Sequence, residues 1–239
     1  MKMRNFVPAK AASAAISTVR ARSHRRAMRL SSGKIPAVTA LLLGLMLFPA
    51  CESNAPPSTP AKPEVKPTEQ LTARAAFQKV FIAARNYAVD VKPFRIESIL
   101  TTDSNGHDGK SAVWRASFAS AMQHGVKPYI WSGSNAPDAP SRGVSPGNED
   151  TYNPNNASTQ VFDVAFLKID SDQAFAEAQK HGGDKILEKN PSSPVLYTCD
   201  WNHNTNQLVW HVAYGESRDA AKLTVSVDAT TGEFIRVEK

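Results

Sequence analysis

Two histidines near the end of the chain are the first candidates for chemistry. His203 and His211 lie close in sequence to Asp200, and imidazole and carboxylate groups are common zinc ligands. A zinc site requires three or four converging ligands, however, and this spacing matches no zinc motif. Asp200 and His203 flank a predicted turn, whereas His211 lies on a predicted strand. We therefore interpret the two histidines as turn and surface residues, and we predict no metal site.

A second candidate is the oxygen-rich segment 148–156, whose sequence is NEDTYNPNN. Carboxylate and amide oxygens bind Ca²⁺, but their spacing here differs from that of the EF-hand calcium loop. We predict a solvated loop. The sequence also lacks the motifs of phosphate-binding loops, nucleophile elbows and zinc-protease helices. We therefore predict no catalytic residue and no cofactor, and we expect a protein that is not an enzyme.

The chain contains two cysteines, Cys51 and Cys199. Cys199 alternates with Tyr197 and Trp201 on the apolar face of a predicted strand. A thiol buried in this way is inert, so we predict a structural role for Cys199.

Cys51 follows an apolar stretch near the amino terminus. Residues 35–48 are apolar but too few to span a membrane, and basic residues precede them. With Ala50 before the cysteine, this arrangement resembles a bacterial lipoprotein signal. The resemblance implies that residues 1–50 are a signal peptide and that Cys51 is lipidated; an ordinary secretory signal is the alternative. We expect a cell-envelope protein, lipid-anchored to a membrane on its periplasmic or extracellular face.

The positive charge of the chain is concentrated in the predicted signal. Residues 1–50 hold nine of the 28 basic residues and none of the 22 acidic ones, so 19 basic residues remain beside 22 acidic. The remaining chain is mildly acidic, and we predict no nucleic-acid partner. Met28 would give a signal of conventional length, and our hypothesis is that translation starts there and not at Met1. Residues 51–70 are rich in proline and predict an unfolded tether.

The rest of the chain shows alternating helix and strand patterns. Residues 71–87 have apolar side chains at helical spacing, with Thr72 as a candidate N-cap. Strands are predicted at 94–102, 111–120, 195–201, 208–214 and 223–228, and a helix that breaks at Gly182 and Gly183 lies between the two groups.

An internal repeat is suggested by two tryptophan strands. Residues 114–118 (WRASF) correspond to residues 210–214 (WHVAY), and a predicted helix and strand precede each of them. To complete the first copy we predict its third strand at 161–169. The fold class is therefore α+β, with two repeated units that each pack one helix on a three-stranded antiparallel sheet. We assign residues 71–169 to the first unit and residues 170–239 to the second.

The end of the chain resembles a PepSY domain, a module of peptidase propeptides and secreted bacterial proteins. The resemblance lies in the strand Trp210-His-Val-Ala-Tyr214 and in the ending VDATTGE at 227–233. It extends over most of residues 71–239 and implies an association with peptidase inhibition or chaperoning. Because this chain carries no peptidase domain, such inhibition would act in trans.

The first unit contains a long insertion, residues 121–160, rich in Pro, Gly, Asn and Ser. Long segments of this kind are either functional or disordered. Tyr129, Ile130 and Trp131 form its apolar cluster, and we predict them as candidate partner-binding residues. The alternatives are a disordered insertion and a strand extension that buries these side chains.

Three functions remain open from the sequence. The first is a non-catalytic envelope lipoprotein that binds a peptidase or another envelope protein. The second is an enzyme with its site between the repeats or under residues 121–160. The third is a structural lipoprotein without a specific ligand.

Overall fold

The structure is a computed structural model that describes residues 66–238. These residues form three helices and eleven strands in an α+β arrangement. The helices are α1 (Ala73–Tyr87), α2 (Ser171–Ala178) and α3 (Asp184–Lys189). The strands are β1 (Leu71–Thr72), β2 (Lys92–Ser98), β3 (Lys110–Ser111), β4 (Val113–Ser120), β5 (Gly125–Ser132), β6 (Gly143–Pro146), β7 (Asp150–Thr151), β8 (Val195–Asn202), β9 (Gln207–Tyr214), β10 (Leu223–Asp228) and β11 (Phe234–Glu238).

Nine of the strands form one antiparallel sheet. Its order is β11-β10-β9-β8-β2-β4-β5-β6, and β7 pairs with β5 beside β6. The two predicted groups of strands meet at the centre, where β2 pairs with β8 and Ile96 lies opposite Cys199. The chain therefore builds a single continuous sheet, whereas two three-stranded sheets were expected from the sequence.

The helix α1 covers one end of the sheet. Phe77, Val80 and Ala84 are buried at helical spacing, and the ring of Phe77 stacks on Phe118 of β4 at 5.8 Å. Thr72 is the N-cap residue by position, but its side chain makes no capping hydrogen bond. The first backbone N–H groups of α1 instead donate to Ser171 Oγ and Asp170 Oδ1, at 2.8 and 2.9 Å. The beginning of the second helical segment therefore caps the first helix.

The helices α2 and α3 cover the other end of the same sheet face. Asp170 and Gln173 form a capping box that fixes the start of α2. A turn at residues 179–183 separates α2 from α3, and Gly182 has a φ of 107°, which a glycine adopts without steric cost. The predicted break at this glycine pair is confirmed.

The core lies between the helices and this sheet face, and two tryptophans occupy its centre. Trp114 and Trp210 are 1% and 0% exposed. The indole N–H of Trp114 donates to the Leu71 carbonyl at 2.8 Å, and that of Trp210 donates to the Ile169 carbonyl at 3.0 Å. Each acceptor is two residues before the first residue of a helix, so each tryptophan joins its strand to a helix start.

The predicted third strand at 161–169 is wrong. Residues 164–166 form a short 3-10 turn there, and β5 is the strand that pairs with β4. A four-residue turn at 121–124 reverses the chain between β4 and β5, with His124 at a φ of 51°. Pro128 lies within β5 and gave that stretch the composition of a loop, which is why the sequence pattern missed this hairpin.

The segment 121–160 is therefore part of the sheet. It supplies β5, β6 and β7 and a short 3-10 turn at 157–159. Fourteen of its forty residues form these three strands, which is the arrangement of the strand-extension alternative and not of a disordered insertion.

The last residues of the predicted tether contact the folded part. The Glu69 N–H donates to the Gly133 carbonyl at 3.0 Å, and Arg142 donates to the Pro67 carbonyl at 2.9 Å. Residues 66–70 therefore lie along the chain that follows β5. Residues 1–65, with the predicted signal, most of the tether and Cys51, lie outside the described residues. Within residues 66–238 no helix is both long and apolar enough to cross a membrane.

Candidate functional site

The sheet face opposite the helices, which we call the open face, carries a row of charged side chains. Strand alternation places these residues on the phase opposite Ile96, Cys199 and Trp210. The row crosses the sheet from β4 to β11 and alternates in sign: Arg115, Glu97, Arg95, Asp200, His211 and Glu238.

Ion pairs join most neighbours in the row. Arg115 Nε lies 2.8 Å from Glu97 Oε1, and Arg95 Nη2 lies 3.4 Å from Asp200 Oδ2. Their side chains are between one-fifth and two-fifths exposed, so water screens these pairs in part. These two pairs therefore order part of the row while their four side chains stay partly exposed.

His211 is the most buried member of the row. It is 7% exposed and bridges two carboxylates: Nε2 to Asp200 Oδ1 at 3.3 Å and Nδ1 to Glu238 Oε1. Burial alone would lower the pKa of His211, but the hydrogen bonds to Asp200 and Glu238 outweigh it and raise the pKa. Donation from both ring nitrogens requires the protonated ring, so this bridge favours the cationic form of His211.

The two carboxylates respond to this cation. The hydrogen bond from His211 lowers the pKa of Glu238 to about 2, assisted by a hydrogen bond from Ser226 Oγ and opposed by burial. Burial alone would raise the pKa of Asp200. The hydrogen bond from His211 and the charge of the nearby Arg95 outweigh burial, so the pKa of Asp200 lies below its usual value. A doubly hydrogen-bonded imidazolium has no lone pair left to accept a proton, which makes His211 unsuited to act as a general base.

The same geometry disfavours a metal at this histidine. Asp200 and Glu238 contact opposite nitrogens of one ring, so the three groups do not converge on a point. Across the part of the chain that the structure describes, no three His, Cys, Asp or Glu side chains are grouped to hold a metal ion.

The loop between β9 and β10, residues 215–222, adds Arg218 to this region. Arg218 Nη2 lies 3.4 Å from Glu238 Oε2. A cleft of about 470 Å³ lies on the side of Lys222 and Thr224. A cleft of about 250 Å³ lies on the side of Thr198 and His211. The open face therefore has clefts in this half of the sheet that a small chemical group of a partner can enter.

The predicted partner-binding residues are divided between the two faces. Tyr129 and Trp131 are 7% and 3% exposed and belong to the core, so no loop displays them. This is the arrangement of the strand-extension alternative. Ile130 is partly exposed and lies opposite Arg115 in the β4–β5 pair, which places it on the open face.

The other residues singled out in the sequence are placed as follows. Cys199 is fully buried, as predicted, and burial raises the pKa of its thiol. His203 is exposed in a turn, as predicted. Residues 148–156 are almost all exposed, although β7 lies within this predicted loop. The prediction of His211 as a surface residue is wrong, because Glu238 of the last strand packs beside it. Cys51 lies outside the described residues.

Sequence reasoning missed the charged row, although part of it was detectable. Glu97, Asp200 and His211 fall on the polar phase of strands whose apolar phase was recognised. The contact between His211 and Glu238 depends on β11 folding back along β10, and alternation within single strands carries no information about that contact.

Comparisons with known proteins give little further assignment. No protein-family model matches the chain, and no curated protein matches it. Among solved structures, a candidate lipoprotein from Clostridium difficile 630 is similar at 11% sequence identity with a TM-score of 0.46. The match covers 68% of this chain and 91% of that one. Similarity at this level identifies no family for the chain.

Proposed function

We propose that residues 66–238 form the non-catalytic binding module of an envelope lipoprotein, with the open face as its binding surface. The observation that carries this proposal is the charged row from Arg115 to Glu238, which the chain leaves uncovered by helices. An antiparallel sheet commonly leaves one face to water, so a plain solvated face is the simplest alternative. A solvated face does not require a buried histidine with two carboxylate partners, and this cluster therefore favours a binding surface.

Two features support a binding role over a catalytic one. Both nitrogens of His211 are engaged, so the most buried titratable group of the open face is not free to transfer protons. The only described cysteine, Cys199, lies on the helix side of the sheet and is inaccessible. We accordingly propose that the protein is not an enzyme.

We further propose that the chain is a tandem of two PepSY-like units. The equivalent placement of Trp114 and Trp210 supports this proposal, as does the order helix then strands in each half of the sheet. By the resemblance of residues 210–233, the partner would be a peptidase that the module restrains or assists in trans. Another envelope protein is the broader form of the same proposal.

We place the protein at the membrane through a lipid on Cys51. The sequence pattern that supports this anchor is the short apolar run at 35–48 followed by Ala50 and Cys51. Cys51→Ser is expected to release the protein from the membrane fraction or to stall its processing. Unchanged membrane association of that variant would contradict the lipid anchor.

The binding proposal is tested by pull-down from solubilised membranes. Thr198→Arg places a bulky cation in the middle of the open face, where Thr198 is partly exposed on β8. Lys185→Glu on the exposed side of α3 is the control, because it changes charge on the opposite side of the sheet. A partner lost with Thr198→Arg and kept with Lys185→Glu supports the open face.

The identity of the captured protein decides between the forms of the proposal. A peptidase as the chief partner would support regulation in trans. Capture of the same proteins by parent and Thr198→Arg would contradict binding at the open face. A deletion of residues 133–158 would not serve as this test, because it would remove β6 and β7 and damage the sheet.

A further inference from the structure

The outer side of α1 differs in charge from the rest of the folded part. The helix contains three basic residues, Arg74, Lys79 and Arg85, and no Asp or Glu. The second helical segment, Ser171 to Lys189, contains three lysines beside four carboxylates. Two helical segments on one sheet face therefore present opposite net charge, within a chain that is acidic after residue 50.

These cations of α1 are not neutralised locally. Arg74 donates to the Lys168 carbonyl, whereas Lys79 and Arg85 project from the exposed side. Lys92, at the start of β2, is also exposed. Among residues 66–238, none of Lys79, Arg85 and Lys92 forms an ion pair.

Large apolar side chains protrude beside these cations. Ile82, Val89 and Met122 are 71%, 74% and 67% exposed, the three highest values among the large exposed hydrophobic residues. Ile82 is on the side of α1 opposite the buried Phe77, Val80 and Ala84. Met122 and Val89 are held together through Asp90, which accepts hydrogen bonds from the Met122 N–H at 3.0 Å and from Ser120 Oγ at 2.6 Å.

We propose that this outer side of α1, together with Val89 and Met122, contacts an anionic lipid surface. Exposed basic residues beside protruding apolar side chains are the features by which a helix lies on a membrane interface. Since α1 lies on the helix side of the sheet, this contact would turn the open face away from the membrane towards soluble partners.

A fluorescent label on α1 tests the proposal in the full chain. An environment-sensitive dye is attached at Asn86→Cys, an exposed position of α1, in a Cys51→Ser background; Cys199 is buried and does not react. The control label is at Glu188→Cys on the exposed side of α3. The vesicles are phosphatidylcholine with and without phosphatidylglycerol.

The expected result is a blue shift at position 86 that requires phosphatidylglycerol and that is absent at position 188. A label at 86 that stays in water on these vesicles contradicts the proposal and leaves an acidic protein as the partner for α1. An equal shift at both positions also contradicts it, because contact would not be specific to α1. Neither outcome depends on whether the open face binds a protein, so the two proposals fail separately.

Charge variants measure the electrostatic part. One basic residue near an anionic surface changes membrane partitioning about five-fold, so Lys79→Gln with Arg85→Gln is expected to weaken it about 30-fold. Lys185→Gln with Lys189→Gln removes two lysines from α3 and is the matched control, expected to leave partitioning unchanged. Equal losses in the two double variants, or none in the first, would overturn the assignment to α1.

Discussion

The two halves of the sheet use their helix faces in the same way and their open faces differently. Trp114 and Trp210 each fill the core and each donate to a carbonyl before a helix. On the open face, one half has the half-exposed pair Arg115–Glu97, whereas the other has the buried His211 between two carboxylates. The connection between the strands also differs, because residues 121–124 make a tight turn while residues 215–222 form a loop that carries Arg218.

This comparison separates the requirements of the fold from those of function. A helix on a sheet requires buried residues at fixed places, and the two tryptophans occupy such places. The fold does not require particular residues on the open face. A functional difference between the two halves is therefore expected on the open face, where the side chains differ. The predictions that follow test each side of the comparison, beginning with the largest effect.

The largest effect is expected from the tryptophans. Trp114→Ala and Trp210→Ala should each lower the free energy of unfolding by about 3–5 kcal/mol, the usual cost of deleting a buried Trp. Chemical denaturation followed by circular dichroism measures this. If one variant leaves the free energy of unfolding nearly unchanged, the two indoles have unequal roles and the two helix faces are not equivalent. Equal losses in the two variants would support the likeness of the two helix faces.

A smaller and unequal effect is expected on the open face. Truncation of His211 to Ala leaves two carboxylates without their shared donor, and a hydrogen bond to a charged group contributes about 1.5–3 kcal/mol. Truncation of Arg115 to Ala removes its ion pair with Glu97. The Arg115 side chain is 41% exposed, and pairs of this kind contribute about 0–1 kcal/mol to the free energy of unfolding. The same denaturation experiment compares the two variants. Equal losses would mean that the second half is no more organised than the first.

The charged row also predicts how stability depends on pH. The pKa of His211 is raised in the folded state, so its contribution is full below the unfolded pKa of about 6.5 and is lost as the pH rises through the folded value. The pKa of Glu238 is lowered to about 2 in the folded state. Its contribution to stability is therefore full above the unfolded pKa of about 4.3 and is lost as the pH falls towards the folded pKa of about 2. Stability from this pair is therefore greatest between these limits.

Urea midpoints measured across pH test this dependence. In His211→Gln the loss on the alkaline side should disappear, because the titrating group is gone. Arg115→Gln is the matched control in the other half, and its profile should keep the shape of the parent. A parent profile that is flat between pH 6 and 9 would contradict a raised pKa for His211.

Much of the helix side of the fold was accessible from the sequence, because period and burial are local properties. The helix at 73–87 and the strands β4, β8, β9 and β10 lie within one or two residues of their predicted places. The β5 strand was missed because Pro128 and the surrounding turn residues imitate a loop, although Tyr129 and Trp131 alternate as in a strand. The prediction that the first half has the long connection was consequently reversed.

The open face was less accessible because its contacts join strands that are far apart in sequence. Arg95 meets Asp200 across 105 positions, and His211 meets Glu238 across 27. Alternation identifies which face each side chain takes but not which strand lies beside it. Only the sheet order, with β2 beside β8 and β11 beside β10, brings the row together.

The smallest effect concerns Arg218, the residue by which the longer loop enters the comparison. Its ion pair with Glu238 is at 3.4 Å and Arg218 is 44% exposed, so Arg218→Gln should change the free energy of unfolding by less than about 1 kcal/mol. Its charge nevertheless acts on His211, because a nearby cation disfavours a second one and Arg218 lowers the pKa of that imidazole. The pKa of His211, followed through its ring protons by NMR, should therefore rise in Arg218→Gln and stay unchanged in Arg85→Gln on the other side of the sheet. If Arg218→Gln leaves that pKa in place, the loop lies too far from the histidine to tune it, and the 215–222 connection is only a longer turn.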